Sequence, residues 1–215
     1  MERIICLVIG YACGLLQSGY LVGKMHHIDI RKAGSGNSGS TNALRVMGLK
    51  AGLMTFAGDV LKCFAAVLIV RAIYHGSNIL PLLMMYAGAG VTLGHNFPFY
   101  MNFKGGKGIA ASSGVIFSLV FFDWKFLALG LITFFVALAL TKYVSFSSLC
   151  LMTGFFLEMV IFGQLNMVHN LNQSEKLESY ILVGIMMVLS YIRHKDNIKR
   201  LVNGTERKIG QKKEA

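Results

Sequence analysis

The sequence predicts an all-α, polytopic membrane protein, and three observations support that prediction. The mean hydropathy of the 215 residues is +0.58, and 54% of them are hydrophobic. Charged residues make up 14% of the chain, about half the share that is usual in soluble domains. Several apolar runs approach the length of about 20 residues that a helix needs to cross the hydrocarbon core. These features exclude a soluble globule, an intrinsically disordered chain and a collagen-like chain.

The apolar runs set the expected number of helices. The long runs are Ile4–Val22, Ala51–Ile73 and Ser145–Leu165. The shorter runs are Ile79–Gly94, Ile109–Phe122, Phe126–Leu140 and Tyr180–Ile192. We therefore predict about seven transmembrane helices in a single membrane-embedded domain over residues 1–215. Five spans are the alternative if short runs are packed inside the bundle or are re-entrant.

The distribution of positive charge predicts the orientation in the membrane. The net charge is +11, and most of the 21 Lys and Arg residues fall in the first, third and fifth connections and in a basic tail from about residue 193. Because basic connections tend to stay in the cytoplasm, we expect the N-terminus outside and the C-terminus inside. The excess charge suits membrane lipid headgroups or an anionic ligand, and no nucleic-acid partner is predicted.

A glycine-rich polar segment, KAGSGNSGSTNALR at 32–45, lies on this predicted cytoplasmic side. Three of its glycines have the spacing of a dinucleotide-binding fingerprint, but a membrane helix precedes them where that motif needs a strand. Successive glycines still let backbone N–H groups face one anion, and Ser40 or Thr41 can cap a short helix. Arg45 follows and can add a bidentate phosphate contact. A flexible Gly/Ser loop is the alternative interpretation.

A second segment, GHNFPFYMNFKGGKG at 94–108, carries Lys104 and Lys107 on either side of two glycines. No acidic residue occurs from Gly94 through Phe122, so these lysines have no counter-ion nearby in the sequence. The spacing is not that of a Walker loop, yet lysines on a glycine-rich turn that enters a helix favour a phosphate site. The aromatic residues of the segment are typical of an interfacial belt.

Three further features are candidates. Ser145 stands where a helix begins, and His194 and Asn197 share a helix face at the membrane edge. Asp59 and Lys62 lie three residues apart within an apolar run. Ionisable residues inside a membrane are functional candidates, and an internal salt bridge that orients the helix is the alternative. The histidines and cysteines show no metal-ligand spacing, so neither a metal nor a cofactor is predicted.

Four segments in this order resemble the acyl-phosphate-dependent glycerol-3-phosphate acyltransferases of bacterial inner membranes, the PlsY family. They are GSGNSGSTNALR at 34–45, GHNFPFYMNFKGGKG at 94–108, KYVSFSS at 142–148 and RHKDNIKRLVNGTERK at 193–208. The resemblance implies a seven-helix bundle with one active site near the cytoplasmic face of the inner membrane. It implies acyl transfer from acyl phosphate to the 1-position of sn-glycerol 3-phosphate, the first acylation step of phospholipid synthesis. The products are lysophosphatidate and inorganic phosphate, and a separate soluble enzyme supplies the acyl phosphate.

The resemblance also implies which residues contact each substrate. For acyl phosphate the predicted residues are Gly34, Ser35, Gly36, Asn37, Gly39, Thr41 and Asn42. For glycerol 3-phosphate they are Arg45, Lys104, Lys107, Ser145, His194 and Asn197. The predicted catalytic set is Ser35, Arg45, Lys104, Ser145, His194 and Asn197. One departure is Ser40, where the family more often has alanine.

The residue chemistry agrees with such a reaction. Acyl phosphate is an activated mixed anhydride, so no covalent nucleophile is needed, and no nucleophile elbow is found. Backbone N–H groups at 35–37 can stabilise the developing oxyanion. The general base is either His194 or an oxygen of the substrate phosphate. No histidine has Asp five residues later, which disfavours the acyltransferases that use thioesters.

Two other functions remain possible from the sequence. Broken apolar runs, glycine-rich loops and the Asp59/Lys62 pair also suit a small membrane transporter for a phosphorylated anion. A lipid-binding scaffold would explain the basic tail, but it leaves the clustered polar segments without a role.

Overall fold

The structure is a computed structural model that describes residues 1–119, 123–168 and 171–211, apart from the side chains of residues 117 and 118. The described residues form helices and no strand, which confirms the predicted all-α class. The first five helices are α1 (Glu2–Gly14), α2 (Ser18–Met25), α3 (Ser40–Met47), α4 (Leu49–Ile73) and α5 (Leu80–Asn96). The others are α6 (Ile109–Ser118), α7 (Lys125–Thr141), α8 (Val144–Gln164), α9 (Gln173–Arg193) and α10 (Lys195–Val202). Short 3-10 turns occupy Ile30–Lys32 and Phe99–Met101.

Three stretches of the described residues are long and apolar enough to cross a membrane by themselves. They are Glu2–Met25, Leu49–Ile73 and Val144–Gln164, and Lys125–Thr141 is a shorter apolar helix. These match four of the predicted runs. The end of the run predicted over Ile109–Phe122 lies outside the described residues. The count of seven or five spans stays a prediction.

The first apolar run is not one continuous helix, because α1 ends before Leu15 and α2 starts at Ser18. The buried Gln17 lies at this break, and its Nε2 donates to the carbonyl of His95 at 3.1 Å. Its Oε1 accepts a hydrogen bond from Ser38 Oγ at 3.3 Å. A polar side chain therefore joins the interrupted helix to two of the polar segments described above.

Helix α9 is longer than the run predicted over Tyr180–Ile192, because it starts at Gln173. Asn172 caps its N-terminus by accepting a hydrogen bond from the backbone N–H of Glu175, and the Glu175 carboxylate accepts one from the N–H of Asn172. This capping box adds two polar turns that hydropathy alone does not reveal.

Helices α1 and α5 cross in close contact because glycines line both faces. A Cβ atom added at Gly10 would lie 1.9 Å from the carbonyl oxygen of Ala87, and one added at Gly90 would lie 2.2 Å from that of Leu7. Small residues permit such approaches between membrane helices. The crossing fixes the end of α5, where the second polar segment begins.

We expect Gly90→Ala to destabilise this crossing. The added methyl group would overlap backbone atoms of α1, and overpacking of this kind costs about 1–3 kcal/mol. The control is Gly76→Ala, since a Cβ atom at Gly76 meets nothing within 4 Å. Thermal unfolding in detergent should show a lower midpoint for Gly90→Ala only. Equal midpoints for the two variants would contradict the close crossing.

Candidate functional site

The polar segments meet at one cavity of about 730 Å³. All thirteen residues predicted to contact a substrate line it: Gly34, Ser35, Gly36, Asn37, Gly39, Thr41, Asn42, Arg45, Lys104, Lys107, Ser145, His194 and Asn197. Apolar side chains of α6, α7 and α8, such as Ile116, Phe134 and Leu151, line the remainder. Going along α8, the lining changes from Ser145 to Ser148 to Leu151. The cavity is therefore polar near the connections and apolar between the helices.

The first glycine-rich loop is held from within by the buried side chain of Asn42. Its Oδ1 accepts from the backbone N–H of Ser35 at 2.9 Å, and its Nδ2 donates to the carbonyls of Ala33 at 3.0 Å and Asn37 at 2.9 Å. Gly34 and Gly36 have φ angles of +63° and +72°, which glycine adopts without strain. Asn42 thus orders the loop.

Two expectations about this loop are wrong in part. The N–H of Ser35 is bonded to Asn42 and that of Gly36 to the carbonyl of Ala33, so neither faces an oxyanion. Neither Ser40 nor Thr41 caps α3, because Gly39 holds the N-cap position and the two hydroxyl residues fall inside the first turn. The unbonded N–H groups of a first helical turn still favour a negative charge.

The second glycine-rich loop, residues 104–108, is folded back onto the end of α5. The N–H groups of Gly105 and Gly106 donate to the carbonyls of Asn96 and His95, each at 3.1 Å. Arg193 Nη2 donates to the carbonyl oxygens of Gly105 and Gly106, both at 2.8 Å. These contacts fix the backbone that carries Lys104 and Lys107. The aromatic residues Phe99, Tyr100 and Phe103 are exposed and lie outside the cavity lining, as expected for an interfacial belt.

A carboxylate from the tail, Glu206, connects several predicted residues. Its Oε1 accepts from Ser145 Oγ at 2.8 Å and from Asn197 Nδ2 at 2.6 Å, and its Oε2 accepts from Arg200 Nε at 2.7 Å. Burial opposes its ionisation, but these three hydrogen bonds outweigh burial, so the pKa of Glu206 is lowered. Glu206 is therefore an anion held by donors from α8 and α10.

Lys107 approaches the same network from the loop. Its Nζ donates to Asn197 Oδ1. Burial lowers the pKa of Lys107 to about 8, although Glu206 acts in the opposite direction. The ammonium is charged at neutral pH and loses its charge in mildly alkaline solution.

His194 is buried and neutral at the end of α9. Its Nδ1 lies 2.8 Å from the carbonyl oxygen of Ser190. Because a carbonyl only accepts, we assign the ring proton to Nδ1, which leaves the lone pair on Nε2. Burial, with the charge of Lys107 adding to it, lowers the pKa of His194 to about 4. The imidazole is therefore unprotonated at neutral pH, and the Nε2 lone pair is free to accept a hydrogen bond.

Arg45 and Lys104 differ in their contacts from Lys107 and Arg200, two other cations of the cavity. In the part of the chain that the structure describes, neither side chain has a hydrogen bond or an ion pair, whereas Arg200 is paired with Glu206. Both cations line the cavity beside a glycine-rich loop. Their charges are available to an anionic ligand.

Sequence reasoning missed two residues of this site, Glu206 and Arg193. Glu206 is one of the few acidic residues in a basic tail, and that contrast was a usable signal. Arg193 begins the basic tail that predicts the orientation in the membrane, and nothing in its local sequence indicates a contact with Gly105 and Gly106.

A comparison with known families gives a match over residues 4–204, to the family described as glycerol-3-phosphate acyltransferase. This chain belongs to that family. A relative of that name from Clostridioides difficile is 41% identical over 98% of this chain and 97% of its own length. A relative of the same name from Bacillus subtilis is 38% identical over 94% of this chain and 95% of its own length.

The fold is also similar to a solved acyltransferase of this family. The crystal structure of PlsY (YgiH), an integral membrane glycerol 3-phosphate acyltransferase, matches in its glycerol 3-phosphate form with a TM-score of 0.81 and 27% identity. Its lysophosphatidic acid form matches with a TM-score of 0.79. Each match covers 98% of this chain and 96% of the solved chain. The predicted family and the predicted membrane-embedded helical fold are confirmed.

Proposed function

We propose that this glycerol-3-phosphate acyltransferase family member transfers an acyl group from acyl phosphate to the 1-position of sn-glycerol 3-phosphate. The products are lysophosphatidate and inorganic phosphate. The observation that carries the proposal is that Arg45 and Lys104, which make no hydrogen bond or ion pair with the described residues, line a cavity that is polar at one end and apolar at the other. A substrate with a phosphate group and an acyl chain is likewise polar at one end and apolar at the other.

The two glycine-rich loops suggest a place for each substrate. We assign acyl phosphate to the loop over 34–39 and to the first turn of α3, with its chain among the apolar residues of α6, α7 and α8. We assign glycerol 3-phosphate to Arg45, Lys104 and Lys107, with Ser145, His194 and Asn197 around its glycerol part. The glycerol 3-phosphate and lysophosphatidic acid forms of the related PlsY support these substrate classes.

The reaction then needs no covalent enzyme intermediate. The 1-hydroxyl oxygen attacks the acyl carbonyl carbon, the new ester bond forms, and the bond from that carbon to the phosphate oxygen breaks. The general base is His194 Nε2 or an oxygen of the substrate phosphate, and the hydroxyl proton ends on the departing phosphate. The cations stabilise both phosphates, and a neighbouring backbone donor such as the N–H of Asn37 stabilises the oxyanion.

We place this site at the cytoplasmic face of the bacterial inner membrane. The connections that line the cavity are the basic ones, and basic connections favour the cytoplasmic side. The same argument puts the C-terminus inside and the N-terminus outside. A soluble acyl-phosphate-forming enzyme would supply the donor from that side.

The affinity for glycerol 3-phosphate should fall in alkaline solution. The pKa of Lys107 is about 8, so its amine is charged below this pH and becomes neutral as the pH rises through it. The substrate phosphate stays doubly negative in that range, and KM for glycerol 3-phosphate is therefore expected to increase above pH 8. In Lys107→Arg the guanidinium keeps its charge, so the increase should disappear. A rise of the same size in both proteins would contradict the role of Lys107.

A donor comparison tests the proposed function. Purified protein in liposomes is given labelled sn-glycerol 3-phosphate with palmitoyl phosphate, palmitoyl-CoA or palmitoyl-carrier protein, and lysophosphatidate is measured. We expect product from palmitoyl phosphate alone. Product from a thioester alone would overturn the donor assignment. Uptake of glycerol 3-phosphate under an imposed gradient, without any product, would replace the proposal by the transport alternative.

A further inference from the structure

A buried cluster of Asp59, Lys62 and His95 adjoins the cavity, and the proposed reaction leaves it without a role. Asp59 and Lys62 lie in α4, and His95 lies in the last turn of α5. Asp59 is 1% exposed, Lys62 5% and His95 2%. Asp59 and His95 nevertheless form part of the cavity lining. The Asp59/Lys62 pair within the apolar run is thus joined to His95 from another helix.

Lys62 is the centre of the cluster because its ammonium group uses all three of its protons. Nζ lies 2.7 Å from the carbonyl oxygen of Leu16, 2.8 Å from Asp59 Oδ1 and 2.7 Å from His95 Nδ1. An ammonium group has no lone pair, so His95 Nδ1 is the acceptor. The neutral imidazole therefore carries its proton on Nε2, and Lys62 fixes both the tautomer and the orientation of the ring.

The other edge of the His95 ring supports the loop over residues 104–108. A Cβ atom added at Gly106 would lie 2.1 Å from His95 Nε2, so the ring lies directly against this glycine. The His95 carbonyl accepts the N–H of Gly106 at 3.1 Å. Arg193 holds the carbonyl oxygen of the same glycine at 2.8 Å. The loop that carries Lys104 and Lys107 is therefore held by His95 and Arg193.

Stability alone is a poor reason for this cluster. Apolar residues of similar volume hold buried helices together as well as a buried ion pair does, because desolvation offsets most of the Coulomb attraction. A cluster whose third member contacts the phosphate loop has a more specific use. A small displacement of groups that hold a substrate can slow its reaction strongly.

We propose that Asp59, Lys62 and His95 are positioning residues for the phosphate-binding loop over 104–108. Lys62 is oriented by Asp59 and by the Leu16 carbonyl, and it fixes the orientation of the His95 ring. The ring fixes the position of Gly106. The position of this glycine in turn determines where Lys104 and Lys107 point. The cluster acts on glycerol 3-phosphate binding and leaves the donor loop over 34–39 unchanged. This inference rests on the proposed function for its kinetic consequences, whereas the placement of the loop does not depend on it.

The test uses His95→Phe, which keeps a ring but removes both nitrogens, together with Asp59→Asn as a milder variant. We expect KM for glycerol 3-phosphate to rise about tenfold in His95→Phe, the size of one lost charge-assisted hydrogen bond. KM for palmitoyl phosphate should stay within about twofold. Tyr86→Phe is the matched control in the same helix, since Tyr86 bonds to Glu178 away from the cavity, and it should leave both KM values unchanged.

A double-variant comparison separates positioning from general destabilisation. If His95 and Arg193 hold the same loop, the combined variant His95→Phe/Arg193→Met should raise KM by less than the product of the two single effects. Independent, multiplicative effects would overturn the shared-loop account. A lower thermal midpoint in His95→Phe with unchanged KM would reduce the cluster to a structural ion pair.

Hydrogen exchange gives a readout that does not need turnover. The peptide that contains the amides of Gly105 and Gly106 should exchange faster in His95→Phe and Asp59→Asn than in Tyr86→Phe. Faster exchange would support the positioning role even if the wild-type protein did not use acyl phosphate. Unchanged exchange in a protein that makes lysophosphatidate would refute the positioning role and leave the proposed function intact.

Discussion

Replacing Arg45 or Lys104 with alanine is expected to lower kcat/KM for glycerol 3-phosphate by at least about 100-fold, because each variant loses a charge-assisted hydrogen bond to phosphate. Lys107 and Arg200 are poorly placed to compensate, since Lys107 is bonded to Asn197 and Arg200 is paired with Glu206. Both variants should fold and insert normally, because neither side chain makes a hydrogen bond or an ion pair with the residues that the structure describes.

Lys50→Ala is the control for these two variants. Lys50 is an exposed lysine in the first turn of α4, and it is absent from the cavity lining. Lysophosphatidate formation in liposomes measures all three proteins, and size-exclusion chromatography checks their folding. Normal activity in both Arg45→Ala and Lys104→Ala would show that the phosphate is bound elsewhere.

Replacing Glu206 with alanine is expected to abolish most activity and also to lower the thermal midpoint. The change leaves the Ser145 hydroxyl, the Asn197 amide and the Arg200 guanidinium without their shared acceptor. An unpartnered buried donor costs about 1–3 kcal/mol, which applies to Ser145 and Asn197, whereas the Arg200 side chain is 42% exposed and can be hydrated. Loss of the network also frees Asn197, which contacts Lys107, so we expect kcat/KM to fall by about 100-fold.

Two further variants test the Glu206 prediction. Glu206→Gln keeps the shape and one oxygen acceptor, so its effect should be intermediate. Asp196→Ala is the control, because Asp196 is an exposed acidic residue of the same segment that also reaches the cavity. If Glu206→Ala and Asp196→Ala had equal activity and equal midpoints, Glu206 would not be the centre of the network.

Hydropathy and charge predicted the helical class and the convergence of the polar segments. The apolar composition indicates that the chain lies in a membrane. Basic connections that share one side of a membrane are close enough to form a common site. The resemblance then supplied the candidate residues, and all of them line the cavity. The candidate substrate-contacting residues of the cavity could thus be predicted from the sequence.

The hydrogen bonds that organise the site were not predictable, because they join residues far apart in the sequence. Arg193 bonds to Gly105 and Gly106, Glu206 bonds to Ser145, and Lys62 bonds to His95. Each contact depends on how two helices or loops pack against each other, and a short stretch of sequence does not predict this packing. The polar start of α9 is the opposite case, since Asn172 and Glu175 have the spacing of a capping box.

The central claim is that one cavity holds both substrates and transfers the acyl group directly. A rapid-quench experiment mixes enzyme with an equimolar amount of palmitoyl phosphate, with or without glycerol 3-phosphate, and measures inorganic phosphate and lysophosphatidate. Direct transfer predicts that both products appear at the same rate and in equal amounts, and that phosphate is released only when glycerol 3-phosphate is present. A burst of phosphate equal to the enzyme concentration without glycerol 3-phosphate would reveal a covalent acyl-enzyme and contradict direct transfer.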